Sequence, residues 1–163
     1  GRHNASNALM ALGAAVASGL ALEDAAQALS RFSGLRRRLE LVGTSHGMTV
    51  IDDFGHNPDK ISATLDTLLA FPGRLLVFFQ PHGFGPLKLM GDDLAAVFAE
   101  RLGTAHQLAL TDPVYFGGTV DKSRGGQWLA DQRCARGSNA HFFDSREAVG
   151  DWLAAHGWAE PTA

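Results

Sequence analysis

The sequence predicts an α/β fold: a Rossmann-like open, mostly parallel sheet with flanking helices, preceded by a β-hairpin and two N-terminal helices. Three observations predict it. Strand-like apolar stretches recur at intervals of about thirty residues, the spacing of successive βαβ units. The run Arg74–Gln80 (RLLVFFQ) is almost continuously apolar, as in a strand buried on both faces of a parallel sheet. The segments between such runs carry apolar residues at helical spacing, long enough to cross from one parallel strand to the next.

Each element has its own signal. Asn4–Ser18 is rich in Ala, carries Leu9, Met10, Leu12 and Val16, and suits a helix ended near Gly19. Leu22–Phe32 repeats apolar positions at Ala25, Ala26, Leu29 and Phe32, and Glu23 and Asp24 favour a helix N-terminus there. Ser33-Gly34 breaks the pattern, and a domain boundary is expected at that point. Leu39–Val42 and Met48–Ile51 flank Gly43-Thr44-Ser45-His46-Gly47, which reads as a hairpin with a five-residue connection. Pro58–Ala70 is helical, with Pro58 in the first turn and Asn57 suited to the cap before it. Further helices are expected over Asp92–Leu102, Gly126–Ala135 and Ser145–Ala155, and strands over Gln107–Leu110 and Ala140–Phe143.

Composition bounds the function classes. With 163 residues, 45% hydrophobic and 19% charged, the chain is of ordinary globular make-up and large enough for one domain with an appendage. A net charge of −3 and a pI of about 6.1 give no reason to expect nucleic acid or an anionic membrane as partner. No apolar run approaches the ~20 residues of a membrane span, and a cytoplasmic origin is expected. A single Cys, Cys134, rules out an internal disulfide framework. Gly rather than Met opens the chain, and Gly1-Arg2-His3-Asn4 reads like the interior of something longer, so an excised piece of a larger protein is expected.

Four stretches carry chemistry, and a fifth, Tyr115-Phe116-Gly117-Gly118-Thr119, is a glycine-rich loop after a strand that carries little signal by itself. In Gly1-Arg2-His3-Asn4-x-x-Asn7, two Asn three apart share a helix face, and a side-chain amide matches the donor–acceptor pair of an adenine edge; Asn4 as a simple N-cap is the alternative. In Gly34-Leu35-Arg36-Arg37-Arg38-Leu39-Glu40, three Arg read either as a solvated basic face or as a phosphate partner, the guanidinium fork being suited to phosphate. As a strand, this segment would send Arg36 and Arg38 to one side and Arg37 to the other. In Ile51-Asp52-Asp53-Phe54-Gly55-His56-Asn57-Pro58, two carboxylates and an imidazole occupy a strand-to-helix turn, where open α/β sheets collect ligands and where a carboxylate can hold a ribose diol. Asp side chains capping their own backbone are the alternative there. In Phe79-Gln80-Pro81-His82-Gly83-Phe84-Gly85-Pro86, His82 follows the most apolar strand in what reads as an irregular loop. Asp52, Asp53, His56 and His82 suit a divalent ion by type, so a metal-dependent hydrolase is a rival, although no H-E-x-x-H or H-x-H cluster is present.

The order G-x-H-N-x-x-N, F-x-G-x-x-R-R-x-E, a hairpin, D-D-(aromatic)-x-H-x-P and F-Q-P-H resembles the Mur ligase family, ATP-dependent amide-forming ligases of peptidoglycan synthesis and recycling. Within it the chain looks most like the UDP-N-acetylmuramate:L-alanine ligases and the murein tripeptide-recycling ligases. The resemblance implies that residues 1–33 are the last helices of a central ATPase domain and residues 34–163 most of a C-terminal domain that receives the amine substrate. It implies ATP and Mg2+ as cofactors, held mainly by a central domain, and a UDP-N-acetylmuramoyl substrate with an amino acid or peptide as partners. By the same resemblance, Asn4, Asn7 and Asp53 bind the nucleotide, Asn7 at adenine and Asp53 at the ribose hydroxyls. Arg38 reaches the γ-phosphate as the catalytic cation, and His56, Asn57, His82 and Lys88 line the entry for the amine. No metal ligand is assigned.

Departures from the family pattern accompany it. No G-x-x-x-x-G-K-[ST] is present, so turnover by this chain alone is not expected. Gly83, Gly85, Pro86 and Leu87 stand where L-alanine-selective members follow F-Q-P-H with an arginine and then Ser-Arg-Thr, with only Lys88 nearby. L-alanine is therefore not the expected acceptor. A non-catalytic nucleotide-binding module of the same fold is the other rival.

Overall fold

The computed structural model describes residues 2–45, 47–115, 117 and 119–157. The chain forms two compact units, Gly1–Gly43 with Thr49–Phe54, and Thr44–Met48 with Gly55–Ala163.

In the first unit, helix α1 (Arg2–Ala17) packs on helix α2 (Leu22–Ser30). Gly19, at φ 92, takes the left-handed conformation that ends α1. Helix α1 starts ahead of the expected residue, so Asn4 lies within its first turn and does not cap it. Helix α2 buries no residue, and Leu9, Met10 and Leu35 are 69%, 73% and 64% exposed. These helices therefore contribute apolar surface without a core of their own.

Strands β1 (Glu40–Ser45) and β2 (Met48–Asp52) form the expected hairpin. Its connection is shorter than the sequence suggested: β1 runs on through Gly43, Thr44 and Ser45, leaving only residues 46 and 47 between the strands. His46 lies outside the described residues. Gly47, at φ 78, supplies the left-handed backbone that a two-residue hairpin needs.

The second unit is built on three parallel strands in the order β3 (Leu76–Phe79), β4 (Gln107–Leu110), β5 (Ala140–Phe142). Their register brings Val77, Leu108 and Ala140 into one row and Phe79, Leu110 and Phe142 into another. Both rows face the main core, with Ile61 and Leu65 of α3 (Pro58–Leu68), Leu94 and Phe98 of α4 (Phe84–Leu102), and Leu129 of α5 (Gly126–Cys134). The Phe79 and Phe98 rings lie 5.2 Å apart there. Helix α4 is the central support: Phe84, Leu87, Gly91, Leu94, Ala95, Phe98 and Leu102 form one buried stripe. Each fully buried large side chain contributes about 1.5–3 kcal/mol.

Helix α4 begins eight residues before the expected Asp92, and what reads as an irregular loop at Gly85-Pro86 is its first turn. Proline is tolerated there because that turn has no internal acceptor for its missing N–H. Two glycines mark close approaches. A Cβ on Gly91 would meet the Trp128 ring at 2.6 Å, and one on Gly126 would meet the Thr111 carbonyl oxygen at 2.5 Å. Helix α5 thus packs tightly on both α4 and the end of β4.

The row Phe78, Ala109, His141 faces the opposite side of the sheet. Helix α6 (Arg146–Gly157) packs against part of it, with Trp152 5.2 Å from His141 and 5.6 Å from Phe143, ring to ring, while Phe78 and His141 stay exposed in part. Its ends are tied to β3: Arg146 Nε donates to Gln80 Oε1 at 2.8 Å, and Arg74 Nη2 donates to the His156 carbonyl at 2.6 Å. Partial burial lowers the pKa of His141 below its ordinary 6.5, with His156 and Arg133 adding to the effect. Burial and Arg133 lower that of His106, whose Nδ1 accepts from Leu75 N at 3.1 Å. A group whose folded pKa is depressed takes up protons more readily when unfolded, so stability falls as pH drops below 6.5. The thermal midpoint of this chain is expected to decrease from pH 7 to pH 5, and less steeply in His141→Phe. An identical slope in that variant rules out His141 as a source of the acid lability.

Candidate functional site

Arg38 sits in a turn of unusual backbone geometry. It is flanked by Arg37 at φ 57 and Leu39 at φ 49, both in the left-handed region although neither is glycine. Such residues cost about 1–2 kcal/mol each and persist where the surroundings over-determine them. Arg37 N donates to Glu40 Oε2 at 2.7 Å, Phe54 N donates to Arg37 O at 2.8 Å, and Leu39 N donates to Asp53 Oδ1 at 3.1 Å. The Arg37 guanidinium lies 4.7 Å from the Phe54 ring centroid, and its Nε is 3.8 Å from Asp52 Oδ2. That ion pair is well exposed and contributes little, whereas net hydrogen-bond contributions of about 1 kcal/mol each offset the strain.

The strand alternation expected for the three arginines is thereby corrected. β1 begins only at Glu40, and Arg36–Leu39 form a turn, not a strand. The turn presents Arg38 to solvent, and among the described residues its side chain has no hydrogen bond or ion pair. Asp53, half-buried, lies directly beside it in the fold through its bond to Leu39 N. The structure thus joins two stretches that the sequence presents separately. Asn4 and Asn7 are both exposed, three apart on α1.

In the second unit the strand-end residues converge. Asn57 caps α3: its Oδ1 accepts from Lys60 N at 2.9 Å, with Pro58 at the helix start. Its amide oxygen is therefore engaged. His56, just before that cap, brings its ring within 5.9 Å of the His82 ring, which stands just before α4. Two imidazoles from separate strand ends, both beside helix N-termini, suit a carboxylate or a nucleophile that must lose a proton. Lys88 does not join them by charge. Its Nζ is 2.6 Å from Asp121 Oδ2, and bonds from Lys88 and from Ser123 N hold the Asp121 carboxyl well below the usual carboxylate range.

In the connection between β4 and α5, sequence reasoning singled out only the glycine-rich stretch 115–119 and missed the charged residues around it. The connection is strapped to α4 by Lys88–Asp121 and by Arg124 Nη1–Asp92 Oδ2 at 2.8 Å, with Arg124 over the Trp128 ring at 4.5 Å. It forms part of the wall of an open pocket of about 390 Å³ lined by Phe84, Asp112, Lys122, Gln127, Trp128 and Asp131, among others. Asp112 Oδ1 accepts from Gly126 N at 2.6 Å, and Gln80 Nε2 donates to the Asp112 carbonyl at 2.8 Å, joining the ends of β3 and β4. The available signal was Thr111-Asp112-Pro113 at the end of a strand, the same placement that singled out His56 and His82. Among the described residues, no three His, Cys, Asp or Glu side chains gather as a metal-ligand set, and no helix is long and apolar enough to cross a membrane.

An open α/β unit with polar groups collected beyond the carboxyl ends of its strands is a ligand-binding architecture. The model of the Mur ligase, glutamate ligase domain matches residues 37–160. The chain belongs to the Mur ligase family, as its motif order suggested. It is 39% identical over 144 residues to a UDP-N-acetylmuramate–L-alanine ligase of Acidithiobacillus ferrooxidans, covering 87% of this chain and 30% of that one. It is 32% identical to the ligase of the same name from Syntrophomonas wolfei, covering 94% of this chain and 32% of that one. Among solved structures it is similar to a murein peptide ligase of Psychrobacter arcticus, with a TM-score of 0.62 and 25% identity over 96% of this chain and 32% of that one. MurF of Acinetobacter baumannii, at a TM-score of 0.67 and 22% identity over 96% of this chain and 32% of that one, shares the fold. The chain thus spans about a third of the length of these relatives.

Proposed function

We propose that this chain is the amine-substrate lid and half of the nucleotide site of an ATP-dependent, Mur-type amide ligase of peptidoglycan synthesis or recycling. Residues 1–33 are the last helices of a central ATPase domain, and residues 34–163 form the C-terminal domain. The extent of the family match and the exposed apolar surface of α1 and α2 support that division. The observation that carries the proposal is the joining of the Arg38 turn to Asp53 through Leu39 N.

In this mechanism the terminal phosphoryl group of ATP passes to a carboxylate oxygen of a UDP-N-acetylmuramoyl substrate and ADP leaves. The amine nitrogen attacks the acyl carbon, loses its proton, and the tetrahedral intermediate expels phosphate as the amide forms. Arg38 counters charge on the transferring phosphoryl group. Asp53 holds the ribose hydroxyls, Asn7 with Asn4 meets adenine, and His56 and His82 line the amine's entry, with Asn57 shaping that turn. Lys88 takes part through the connection it pairs with. Mg2+ belongs with the central domain; the described residues gather no ligand set for it, and no step is assigned to it. The enzyme works in the cytoplasm.

Asp53→Ala in the full-length enzyme is expected to cut turnover by ~100-fold, because it releases both the ribose and the turn that carries Arg38. Steady-state phosphate release tests this. Activity equal to the parent's counts against the nucleotide-site assignment.

A further inference from the structure

We infer that Arg37, with Phe54 and Asp52, is a clamp that positions Arg38, so that neighbouring arginines in the run have different tasks. The inference rests on the proposed role of Arg38 at the nucleotide. The Arg37 side chain is engaged, its guanidinium over the Phe54 ring at 4.7 Å and its Nε 3.8 Å from Asp52 Oδ2. Its main chain is held on both sides, N–H to Glu40 Oε2 and carbonyl from Phe54 N–H. Arg38 has no such partner among the described residues, and both its neighbours are held left-handed. A left-handed residue on either side of Arg38 breaks the extended backbone that strand alternation requires. The same chain with ordinary backbone angles would aim Arg38 elsewhere.

The acidic-aromatic run Asp52-Asp53-Phe54 therefore has a second task besides any ligand. Each of its three residues contacts the arginine turn: Asp53 by accepting from Leu39 N and Phe54 by its ring and its N–H hold it, while Asp52 adds only an exposed, weak ion pair. Arg37 touches neither nucleotide nor substrate on this account; it is a positioning residue that acts through Arg38.

The test is a double-mutant cycle in the full-length enzyme, reading kcat and the KM of each substrate. Arg37→Ala is expected to lower kcat about tenfold with the amine KM unchanged, and to have no further effect when Arg38 is already Ala. Phe54→Leu, which keeps the backbone bond and removes the ring, is expected to show a smaller loss with the same dependence on Arg38. It also serves if Arg37→Ala does not fold. A loss from Arg37→Ala that persists undiminished in the Arg38→Ala background overturns the clamp, as does parental activity in both Arg37→Ala and Phe54→Leu. If Arg38→Ala itself has no effect, the nucleotide role of Arg38 has failed, and the clamp with it; if Arg38→Ala is impaired and the other two are not, only the clamp has failed.

Discussion

Arg38→Ala in the full-length enzyme is expected to reduce turnover by ~100-fold or more, with little change in the KM for the amine. A preorganised cation aimed at developing phosphoryl charge typically supplies that much, and its removal leaves binding elsewhere intact. Arg38→Lys is expected to recover only part of the loss, because an ammonium is a point charge that cannot bridge two phosphate oxygens as a guanidinium does. The two variants should melt with the parent, since the Arg38 side chain is exposed. Phosphate release at saturating ATP and amine is the measurement. Parental kcat in Arg38→Ala removes this residue from the chemistry.

The largest stability effect is expected at Arg133, a fully buried cation on α5. Its Nη1 donates to the Asn139 carbonyl and its Nη2 to the Gly103 carbonyl at 3.2 Å, so it ties the end of α4 to the entry of β5. No carboxylate pairs with it among the described residues, its Nε has no partner there, and burial holds its pKa down to about 10. Arg133→Ala is expected to destabilise the chain by about 3 kcal/mol or more, through two lost charge-assisted bonds and the void left behind. Arg133→Met is expected to cost much less. It refills the volume and removes a charge whose desolvation is only partly compensated. Urea unfolding of this chain measures both. Equal midpoints for Arg133→Ala and the parent eliminate the clasp.

The layered pattern was legible because it is local. Strand β4 falls on the expected Gln107–Leu110, and the Asn57 cap with Pro58 behind it starts α3 where the sequence places it. Helix α4 was foreshortened because Gly85 and Pro86 are breakers in a helix interior, yet both sit in its first turn, and Gly91 is required by the Trp128 ring. His56 and His82 were recognisable since each follows a strand, and their rings do meet. The arginine turn was not recognisable as a turn. Positive φ at Arg37 and Leu39 depends on contacts with residues 52–54, and no periodicity reports a bond between positions fourteen apart. For the same reason the Asp121 partner of Lys88, thirty-three residues away, was invisible, and with it the strapped connection that walls the pocket.

One carbon atom on the central helix bears on that pocket. The Trp128 indole is at once a wall of the opening and the body that fills the notch left at position 91. A Cβ at that notch overlaps the indole, so position 91, which does not itself line the opening, limits where that wall can stand.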